Sequence, residues 1–428
     1  MMERDWPETF LAHVWAEQRL RAPFLCDDGQ RVEVLFAGHH NTMAGPDFVH
    51  AVLRLDGLPV RGDVELHHTP ADWQAHGHHT DPRYNRVVLH CVFAGEPKAT
   101  LREDGQRVPI LNLQDHLHDD LSLMLRRWKR RKHPLPSPTC PSVASWTPAR
   151  KRALLRSAGQ ERLQRKLGRF EAELGFAGWD QLMYAGVLEA LGYSANKLAM
   201  CALAQGFPWS EITGWQGVDR QTLAAIWMGG SGLLEHLPRQ IPHSLATRWR
   251  DAYVRQTYHR REVTVSWQLF RQRAANHPAV RLVQAAALLH PMLGKPLHQR
   301  LLSLFAVPAG ALHAESLRAA LAAQFHSDDL PEGLRIGRAR LDAYAVNILL
   351  PQALLFARHG GHEELAEALQ TLWNTWPRMA ANKPLKQFEA LWGVRCRSAV
   401  EQQGALRLWR LYCAQHQCEL CTEHIEKG

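Results

Sequence analysis

The sequence predicts an α/β domain at the N-terminus, followed by a region that is mostly α-helical. Segments with strand-like alternation and segments with helix-like periodicity follow one another as far as Phe93. Strand signals fade after Leu113, and the remaining chain carries apolar stretches at helical spacing. A proline-punctuated stretch from His133 to Pro141 separates the two patterns. The chain of 428 residues is long enough for two or three domains.

In the N-terminal part, the elements are expected in the order α-β-β-β-α-β. Phe10, Val14 and Leu20 fit one face of an opening amphipathic helix. Three segments alternate apolar and polar residues as half-buried strands do: residues 31–36, 48–55 and 60–67. Thr69-Pro70 is typical of a helix start, with threonine as the N-cap. The nearly continuous apolar run at 86–93 indicates a strand covered on both faces.

The rest of the chain is expected to be helical. Thr147-Pro148 opens a long helix with apolar residues at helical spacing. Later stretches of the same kind, with no fixed repeat period, are 181–191, 221–227, 280–289, 316–325, 341–356, 385–392 and 405–413. We therefore predict four parts: an α/β domain over 1–132, a proline-rich linker over 133–145, an all-helical region over 146–395, and a last helix with a cysteine cluster over 396–428.

Composition narrows the class of protein. A formal net charge of +9 favours a polyanionic partner, and nucleic acid is the first candidate. No apolar run reaches the roughly 18 residues that a membrane span needs, and the first residues lack the apolar segment of a signal peptide. We therefore expect a cytoplasmic protein without a membrane partner. Eight cysteines in such a chain indicate reduced thiols or metal ligands, not a secreted disulfide framework.

Two short motifs carry the chemistry of the first domain: Gly45-Pro46-Asp47-Phe48 and Gly62-Asp63-Val64-Glu65-Leu66-His67. In a strand, Asp63, Glu65 and His67 share one face, and the apolar residues between them point to the other. If Asp47 begins the neighbouring strand, its carboxylate lies beside that of Glu65. Two carboxylates and a main-chain carbonyl suit Mg²⁺ or Mn²⁺. The alternative is the exposed polar face of an antiparallel sheet, which needs no metal.

Pro46-Asp47 and Glu65-Leu66-His67 resemble the two halves of the signature of the PD-(D/E)XK nuclease superfamily, over residues 8–93 and with the same order of elements. The resemblance implies a restriction-endonuclease-like fold with Asp47 and Glu65 as catalytic metal ligands. It implies the Leu66 carbonyl as a further ligand. It also implies His67 as the third catalytic residue, at the position where the superfamily usually carries lysine. Glu8 or Glu17 on the opening helix is a candidate for joining the site.

Further polar residues surround these motifs and are candidates for supporting roles: Asn41, Asp63, Trp73, His76, His78, Tyr84, Asn85 and His90. Such residues often contact phosphates or orient metal ligands, and some are ordinary surface residues. His76, His78 and His79 are too close together for one helix face to present all three, which disfavours a zinc site made from them alone. His90 is compatible with a place in the cleft or in the core.

A second candidate site is the cysteine cluster Cys413-x4-Cys418-x2-Cys421. Three thiols within nine residues can bind one soft metal ion, and the fourth ligand is Cys140 or Cys396. His416 and His424 also suit a zinc site. The cofactor is then Zn²⁺ or a [4Fe–4S] cluster, and a [4Fe–4S] cluster closed by Cys140 resembles the staple of some iron–sulfur nucleases. The alternative is a set of reduced cysteines near the chain terminus.

A basic run with one interleaved tryptophan is a candidate for nucleic-acid contacts: Arg126, Arg127, Trp128, Lys129, Arg130, Arg131 and Lys132. Cations bind phosphates, and an aromatic ring can stack on a base. A solvated helix end explains the same pattern. DNA is favoured over RNA as the partner.

At a wider scale, the chain resembles an uncharacterised bacterial family that is catalogued as a domain of unknown function. The features that carry this resemblance are Asn41-x3-Gly45-Pro46-Asp47-Phe48, Gly62-x-Val64-Glu65-Leu66-His67, Asp72-Trp73-x2-His76-Gly77-His78, Asp81-x2-Tyr84-Asn85-x-Val87-x-Leu89-His90, Asn276-His277-Pro278 and the cysteine cluster. The resemblance implies the domain layout and brings no activity with it.

The leading functional hypothesis is a divalent-metal-dependent nuclease that hydrolyses phosphodiester bonds in DNA or RNA, with the helical region gripping the substrate. The main alternative is a catalytically inactive nucleic-acid-binding or scaffold protein with a nuclease-like fold. A third hypothesis is a zinc hydrolase that acts on a small phosphorylated molecule.

Overall fold

A computed structural model describes residues 7–18, 20–96, 98–117, 121–130, 139–215, 217–270, 272–307, 312–328, 330–415, 417–418 and 421–422. These residues form two compact units. The first unit comprises the chain up to residue 176 together with residues 382–395 and the chain from 403 onward. The second comprises residues 177–381 and 396–402.

The first unit contains a mixed β-sheet. The strands are β1 (Phe24–Leu25), β2 (Arg31–Phe36), β3 (His39–His40), β4 (Phe48–Leu55), β5 (Leu58–His67), β6 (Val87–Val92), β7 (Thr100–Leu101), β8 (Arg107–Val108) and β9 (Ile110–Asn112). Seven of them form one sheet in the order β1-β2-β4-β5-β6-β9, with β3 paired to β4. Pairing is antiparallel from β1 to β5 and parallel from β5 through β6 to β9. Strands β7 and β8 form a separate hairpin.

One face of this sheet packs in the core of the unit. The side chains of β5 that point into this core determine which residues of β5 face the other way. Val64 and Leu66 of β5 are fully buried in a cluster with Leu11 and Trp15 of the first helix. The Trp15 Nε1–H also donates to the Ala37 carbonyl at 2.9 Å, which holds that helix against the sheet. Since strand side chains alternate, the polar residues of β5 lie on the opposite face, as the alternation in the sequence predicted.

Sixteen α-helices are present in the described residues: α1 (Glu8–Glu17), α2 (Asp72–Ala75), α3 (Leu121–Arg130), α4 (Pro148–Leu191), α5 (Lys197–Gly206), α6 (Trp209–Ile212), α7 (Arg220–Gly230), α8 (His243–Arg255), α9 (Pro278–Leu289), α10 (Leu297–Leu302), α11 (Ala314–Gln324), α12 (Arg338–Tyr344), α13 (Leu350–His359), α14 (Glu363–Thr375), α15 (Lys383–Trp392) and α16 (Ala399–Leu411). A mostly helical region therefore follows the sheet. Helix α4 is interrupted at Gly178, whose φ of 67° is a left-handed conformation that glycine adopts without strain.

Two expectations about local structure need correction. The helix predicted to start at Thr69 begins at Asp72. The Asp72 carboxylate accepts hydrogen bonds from the Thr69 N–H at 2.8 Å and the Thr69 hydroxyl at 2.9 Å, so residues 69–72 form a turn and not a helix. The short strands β1, β3, β7, β8 and β9 were not predicted, because two or three residues are too few for a periodic signal.

Part of the predicted linker lies outside the described residues, namely 133–138. The part that is described includes a short 3₁₀ turn, Pro141–Val143, in the first unit. In the described part of the chain, no helix combines the length and the apolar character that crossing a membrane requires.

Candidate metal centre

Two carboxylates meet where the start of β4 lies beside the last residues of β5, in the middle of the sheet. Asp47 immediately precedes β4, and Glu65 lies in β5. The Asp47 N–H donates to Glu65 Oε2 at 2.9 Å, and the Leu66 N–H donates to Asp47 Oδ2 at 3.1 Å. The two main-chain hydrogen bonds run in opposite directions and hold both carboxylates side by side. The Leu66 carbonyl as a ligand stays a prediction.

A bulge in β4 brings Asp47 to this position. The register between β4 and β5 shifts between Phe48 and Ala51, and His50 has a φ of 59°. Asp63 accepts the His50 N–H at 3.0 Å and therefore stabilises the bulge. Asn41 braces the preceding loop, because its side-chain amide donates to the Pro46 carbonyl at 3.0 Å. Of the predicted supporting residues, Asp63 and Asn41 thus form hydrogen bonds to the backbone that positions Asp47.

The two carboxyl groups share a desolvated, negatively charged environment. Burial raises the pKa of Asp47 to about 7, and the charge of Glu65 adds to this rise. Burial raises the pKa of Glu65 to about 8, and the charge of Glu8 adds to it. Glu8 of α1 also raises the pKa of Asp47, so it belongs to this cluster, whereas the charge of Glu17 acts on Arg165. Such a set of acids is well suited to a divalent cation, which favours their charged forms.

His67 is buried next to Glu65 and is uncharged. Its Nε2 lies 3.6 Å from Glu65 Oε1, and its side chain is 1% exposed. Burial, together with the neighbouring histidines His90 and His78, lowers the pKa of His67 to about 2. An imidazole that stays neutral at physiological pH cannot supply the fixed positive charge of a lysine. It offers a nitrogen lone pair instead.

His90 lies in the core and is the inner partner of His67. Its Nε2 is 2.9 Å from His67 Nδ1, and its Nδ1 is 2.8 Å from Thr100 Oγ1. Burial lowers the pKa of His90 to about 3. The sequence left open whether His90 lies in the core or at the cleft. His90 is fully buried, and its ring also contacts His67 of the site.

His78 completes the contacts to Glu65 and is held by aromatic rings. His78 Nε2 lies 3.2 Å from Glu65 Oε1, and burial lowers the pKa of His78. Tyr84 stacks on the His78 ring with centroids 3.8 Å apart, and Trp73 meets the same ring edge-on at 5.4 Å. The Trp73 Nε1–H is bonded to the Leu101 carbonyl at 2.9 Å. Trp73 and Tyr84 thus shape the wall of the site.

His76 reaches the same place from outside. Its Nδ1 lies 3.1 Å from His67 Nε2, and its side chain is exposed. His67, His76 and His78 each offer a nitrogen within 4.8 Å of the others. Sequence reasoning missed this triad, since it grouped His76 with His78 and His79. The one feature of the sequence that pointed to this triad was the alternation in β5, which puts His67 on the same face as Glu65.

Asn85 does not belong to the site. Its side-chain amide donates to Glu103 Oε2 at 2.8 Å, and its oxygen accepts the Asp104 N–H at 3.4 Å. The Asn85 side chain therefore ties the β6 entry to the β7–β8 turn. Among the predicted supporting residues, Asn85 is the one that points elsewhere.

The cysteine cluster assembles within the first unit. Burial raises the pKa of Cys413, and the charges of Cys421, Cys140 and Cys418 raise it further, in that order. Burial likewise raises the pKa of Cys421 to about 12, with contributions from Cys140 and Cys418. The four thiols are therefore close enough to influence one another electrostatically, whereas the group of described residues whose ligand atoms all lie within 4.8 Å of one another is His67, His76 and His78.

Hydrogen bonds connect the segment after Cys140 to Cys418 and Thr422. Ser142 Oγ lies 2.8 Å from Thr422 Oγ1, and that hydroxyl donates to the Cys418 carbonyl at 3.0 Å. Cys396 belongs to the other unit, where its carbonyl accepts from Arg378. Cys140 is thus the fourth thiol near the cluster. His416 and His424 lie outside the described residues.

The basic run is only partly available for contacts. Arg126 and Lys129 are exposed on α3, whereas Trp128 is 2% exposed and packs edge-on against Phe10 with centroids 5.9 Å apart. The Trp128 ring therefore cannot stack on a base, because it is part of a small core cluster with Val14 and Met124. Arg127 and Arg130 lie in α3, and Arg131 and Lys132 lie outside the described residues.

Comparison with known proteins assigns the chain to a family. Residues 8–380 match the family described as Protein of unknown function (DUF2851). The chain belongs to this family. No curated protein and no solved structure matches it. The DUF2851 match includes the whole carboxylate and histidine site and ends before the three C-terminal cysteines.

Proposed function

We propose that this DUF2851 protein is a divalent-metal-dependent nuclease whose active site is the Asp47–Glu65 pair. The observation that carries the proposal is the reciprocal main-chain bonding that holds these two buried carboxylates together. Their positions on successive antiparallel strands, with the order α1-β2-β4-β5-α2-β6, support a restriction-endonuclease-like fold of the PD-(D/E)XK kind.

The donor set fits Mg²⁺ or Mn²⁺, since both ions prefer carboxylate oxygens. Bound there with the Leu66 carbonyl as a further ligand, such an ion would activate the attacking water and offset the charge that develops on the phosphate. The chain itself supplies three further features. Glu8 adds negative charge, His78 contacts Glu65 Oε1 at 3.2 Å, and the Nε2 nitrogen of neutral His67 lies 3.6 Å from the same oxygen.

Nucleic acid is the substrate class that the charge favours. The chain carries 51 Lys and Arg against 42 Asp and Glu, and Arg126 and Lys129 are exposed cations on the unit that holds the site. We propose DNA ahead of RNA, with the helical region gripping the strand and the cytoplasm as the site of action. At Cys140, Cys413, Cys418 and Cys421 we propose a structural Zn²⁺ or [4Fe–4S] cluster, because these thiols influence one another electrostatically and thiols are the usual ligands of both groups.

The uncharged state of His67 favours one alternative. A lysine at this position would bring a positive charge to the water or phosphate, and a buried neutral imidazole does not. A nuclease-like protein that binds nucleic acid without cutting it is therefore the second candidate. It predicts salt-sensitive binding without turnover in Mg²⁺ or Mn²⁺.

A cleavage screen separates the two candidates. Single- and double-stranded DNA and RNA are incubated with the full-length protein and Mg²⁺ or Mn²⁺. We expect metal-dependent cleavage that Asp47→Asn and Glu65→Gln each abolish. Glu103→Gln, which changes an exposed carboxylate of the same domain, is the matched control and retains activity. Equal cleavage by all four proteins would rule out the proposed site, and binding without cleavage would favour the second candidate.

A further inference from the structure

We propose that His67, His76 and His78 form a second cation centre, selective for a transition metal such as Zn²⁺, adjoining the carboxylate pair. The three residues each offer a ring nitrogen within 4.8 Å of the other two. Nitrogen ligands favour Zn²⁺ and related ions, whereas Mg²⁺ prefers oxygen. The proposal is independent of the nuclease activity, because it concerns binding alone.

The hydrogen bonds behind His67 orient its outer nitrogen toward this centre. His67 Nδ1 contacts His90 Nε2 at 2.9 Å, and His90 Nδ1 contacts Thr100 Oγ1 at 2.8 Å. This chain permits the tautomer in which His67 carries its hydrogen on Nδ1 and donates it to His90. The lone pair of His67 Nε2 then faces His76 and Glu65. Metal-binding histidines characteristically donate their other N–H to such an inner partner.

His76 can present a nitrogen to the ion from an exposed side chain. Its Nδ1 faces His67 Nε2 at 3.1 Å, and one of these two nitrogens must carry a hydrogen in the metal-free protein. When both act as ligands, that hydrogen moves to the other ring nitrogen of His76, which belongs to an exposed side chain. The exposure of His76 also gives an ion access to two partners that are themselves buried.

Glu65 supplies a fourth donor and connects the two centres. Its Oε1 lies 3.2 Å from His78 Nε2 and 3.6 Å from His67 Nε2, whereas its Oε2 accepts the Asp47 N–H. Three nitrogens and one carboxylate oxygen match the donor sets that zinc accepts in proteins. One oxygen of Glu65 therefore faces each side, so the site can hold an oxygen-ligated ion and a nitrogen-ligated ion as neighbours.

The rings around the triad restrict its motion. Tyr84 stacks on His78 at 3.8 Å, and the Trp73 ring lies 5.4 Å from His78 and 5.3 Å from His90. A preorganised ligand set binds more tightly than a flexible one, because less conformational freedom is lost on binding.

Cobalt binding to the full-length protein tests the proposal. The protein is treated with a chelator, dialysed and titrated with Co²⁺ as a spectroscopic substitute for Zn²⁺. The key variant is His76→Ala, and the control is His79→Ala, which removes an exposed histidine three residues away. The cysteine cluster is common to all of these proteins, so a difference between the variants reports on the histidine triad. We expect His76→Ala to weaken Co²⁺ binding by more than about 100-fold, beyond the usual effect of losing an outer partner. His79→Ala should bind as the wild type does.

Two further measurements keep the outcome interpretable. Thermal unfolding establishes that His76→Ala is folded, and pulsed electron paramagnetic resonance of bound Cu²⁺ in the wild type should detect imidazole nitrogens. Asp47→Asn should retain the cobalt affinity even where it abolishes Mg²⁺-dependent cleavage. Equal cobalt affinity in wild type, His76→Ala and His79→Ala would overturn the proposal. Equal loss in Asp47→Asn and His76→Ala would also overturn it, because it would indicate one shared centre.

Discussion

The Asp47 N–H donates to Glu65 Oε2 at 2.9 Å, so the backbone of one acidic residue fixes the side chain of the other. In the reverse direction, the Leu66 N–H donates a hydrogen bond to Asp47 Oδ2 at 3.1 Å. Neither bond brings a positive charge, and both carboxyl groups stand at positions where burial raises their pKa. In the absence of a cation, the fold therefore carries an electrostatic cost at this site, as functional sites often do.

Removing the Glu65 charge should stabilise the metal-free protein at alkaline pH. The folded-state pKa of Glu65 is about 8, above its ordinary value of 4.5, so the folded state binds the extra proton between these values. Stability from this group is present at low pH and is lost as the pH rises toward 8. We expect Glu65→Gln to match the wild type near pH 4.5 and to exceed it in stability at pH 8.5 by up to about 5 kcal/mol, because each pKa unit corresponds to about 1.4 kcal/mol.

Urea unfolding with a chelator present, followed by tryptophan fluorescence from pH 4.5 to 8.5, measures this difference. Glu103→Gln is the control and should differ from the wild type by a constant amount. A Glu65→Gln protein that is less stable than the wild type at pH 8.5 would contradict the prediction.

Binding of Mn²⁺ at the carboxylate pair should release protons. With pKa values of about 7 for Asp47 and about 8 for Glu65, both carboxyl groups are largely protonated at pH 6 in the metal-free protein. Ligation requires the charged forms, so binding expels up to two protons and strengthens as the pH rises from 6 to 8.5. Calorimetric titrations in buffers with different ionisation enthalpies count the protons. The number should fall toward zero at pH 9, and a value of zero already at pH 6 would show that the pair is charged before the ion arrives.

Strand phase was the part of the site that the sequence predicted well. Alternation in β5 placed Glu65 and His67 on one face and Val64 with Leu66 on the other, because side chains alternate in any strand. The bulge at His50, which aligns Asp47 with Glu65, has no comparable signal. It depends on a hydrogen bond to Asp63 across the sheet.

Contacts between distant segments were beyond the reach of sequence periodicity. His76 and His78 approach His67 only because the loop after β5 folds back across the sheet face around Trp73. The choice between Cys140 and Cys396 was open for the same reason, since 273 residues separate Cys140 from Cys413 and only tertiary packing brings them together. Helices such as α7, α9 and α15 were recognisable because their apolar periodicity is local, whereas α5, α8 and α14 were not predicted.

Loss of Cys140 should release whatever the cysteine cluster binds. The thiols of Cys140, Cys413, Cys418 and Cys421 influence one another electrostatically, and a four-thiol site built from them would lose most of its affinity for zinc or iron–sulfur when one ligand is removed. We expect Cys140→Ser to lose one equivalent of zinc, or the cluster's visible absorbance, in the purified protein. Elemental analysis and absorbance spectroscopy measure both. Cys201→Ser is the control, because Cys201 lies in α5 of the other unit. Full metal content in Cys140→Ser would rule out Cys140 as a ligand.

The tryptophan and the cations of the basic run should behave in opposite ways when they are replaced. Trp128 is buried against Phe10, so Trp128→Ala should cost about 3 to 5 kcal/mol of stability.

Arg126 and Lys129 are exposed, so Arg126→Ala and Lys129→Ala should leave stability unchanged and weaken nucleic-acid binding. Removing one cation that pairs with a phosphate reduces the slope of log binding constant against log salt concentration by about one. Fluorescence anisotropy with labelled DNA at several salt concentrations measures the slope, and Glu103→Gln serves as the surface control. An unchanged slope in the Arg126→Ala Lys129→Ala double variant would show that this end of α3 lies away from the nucleic acid.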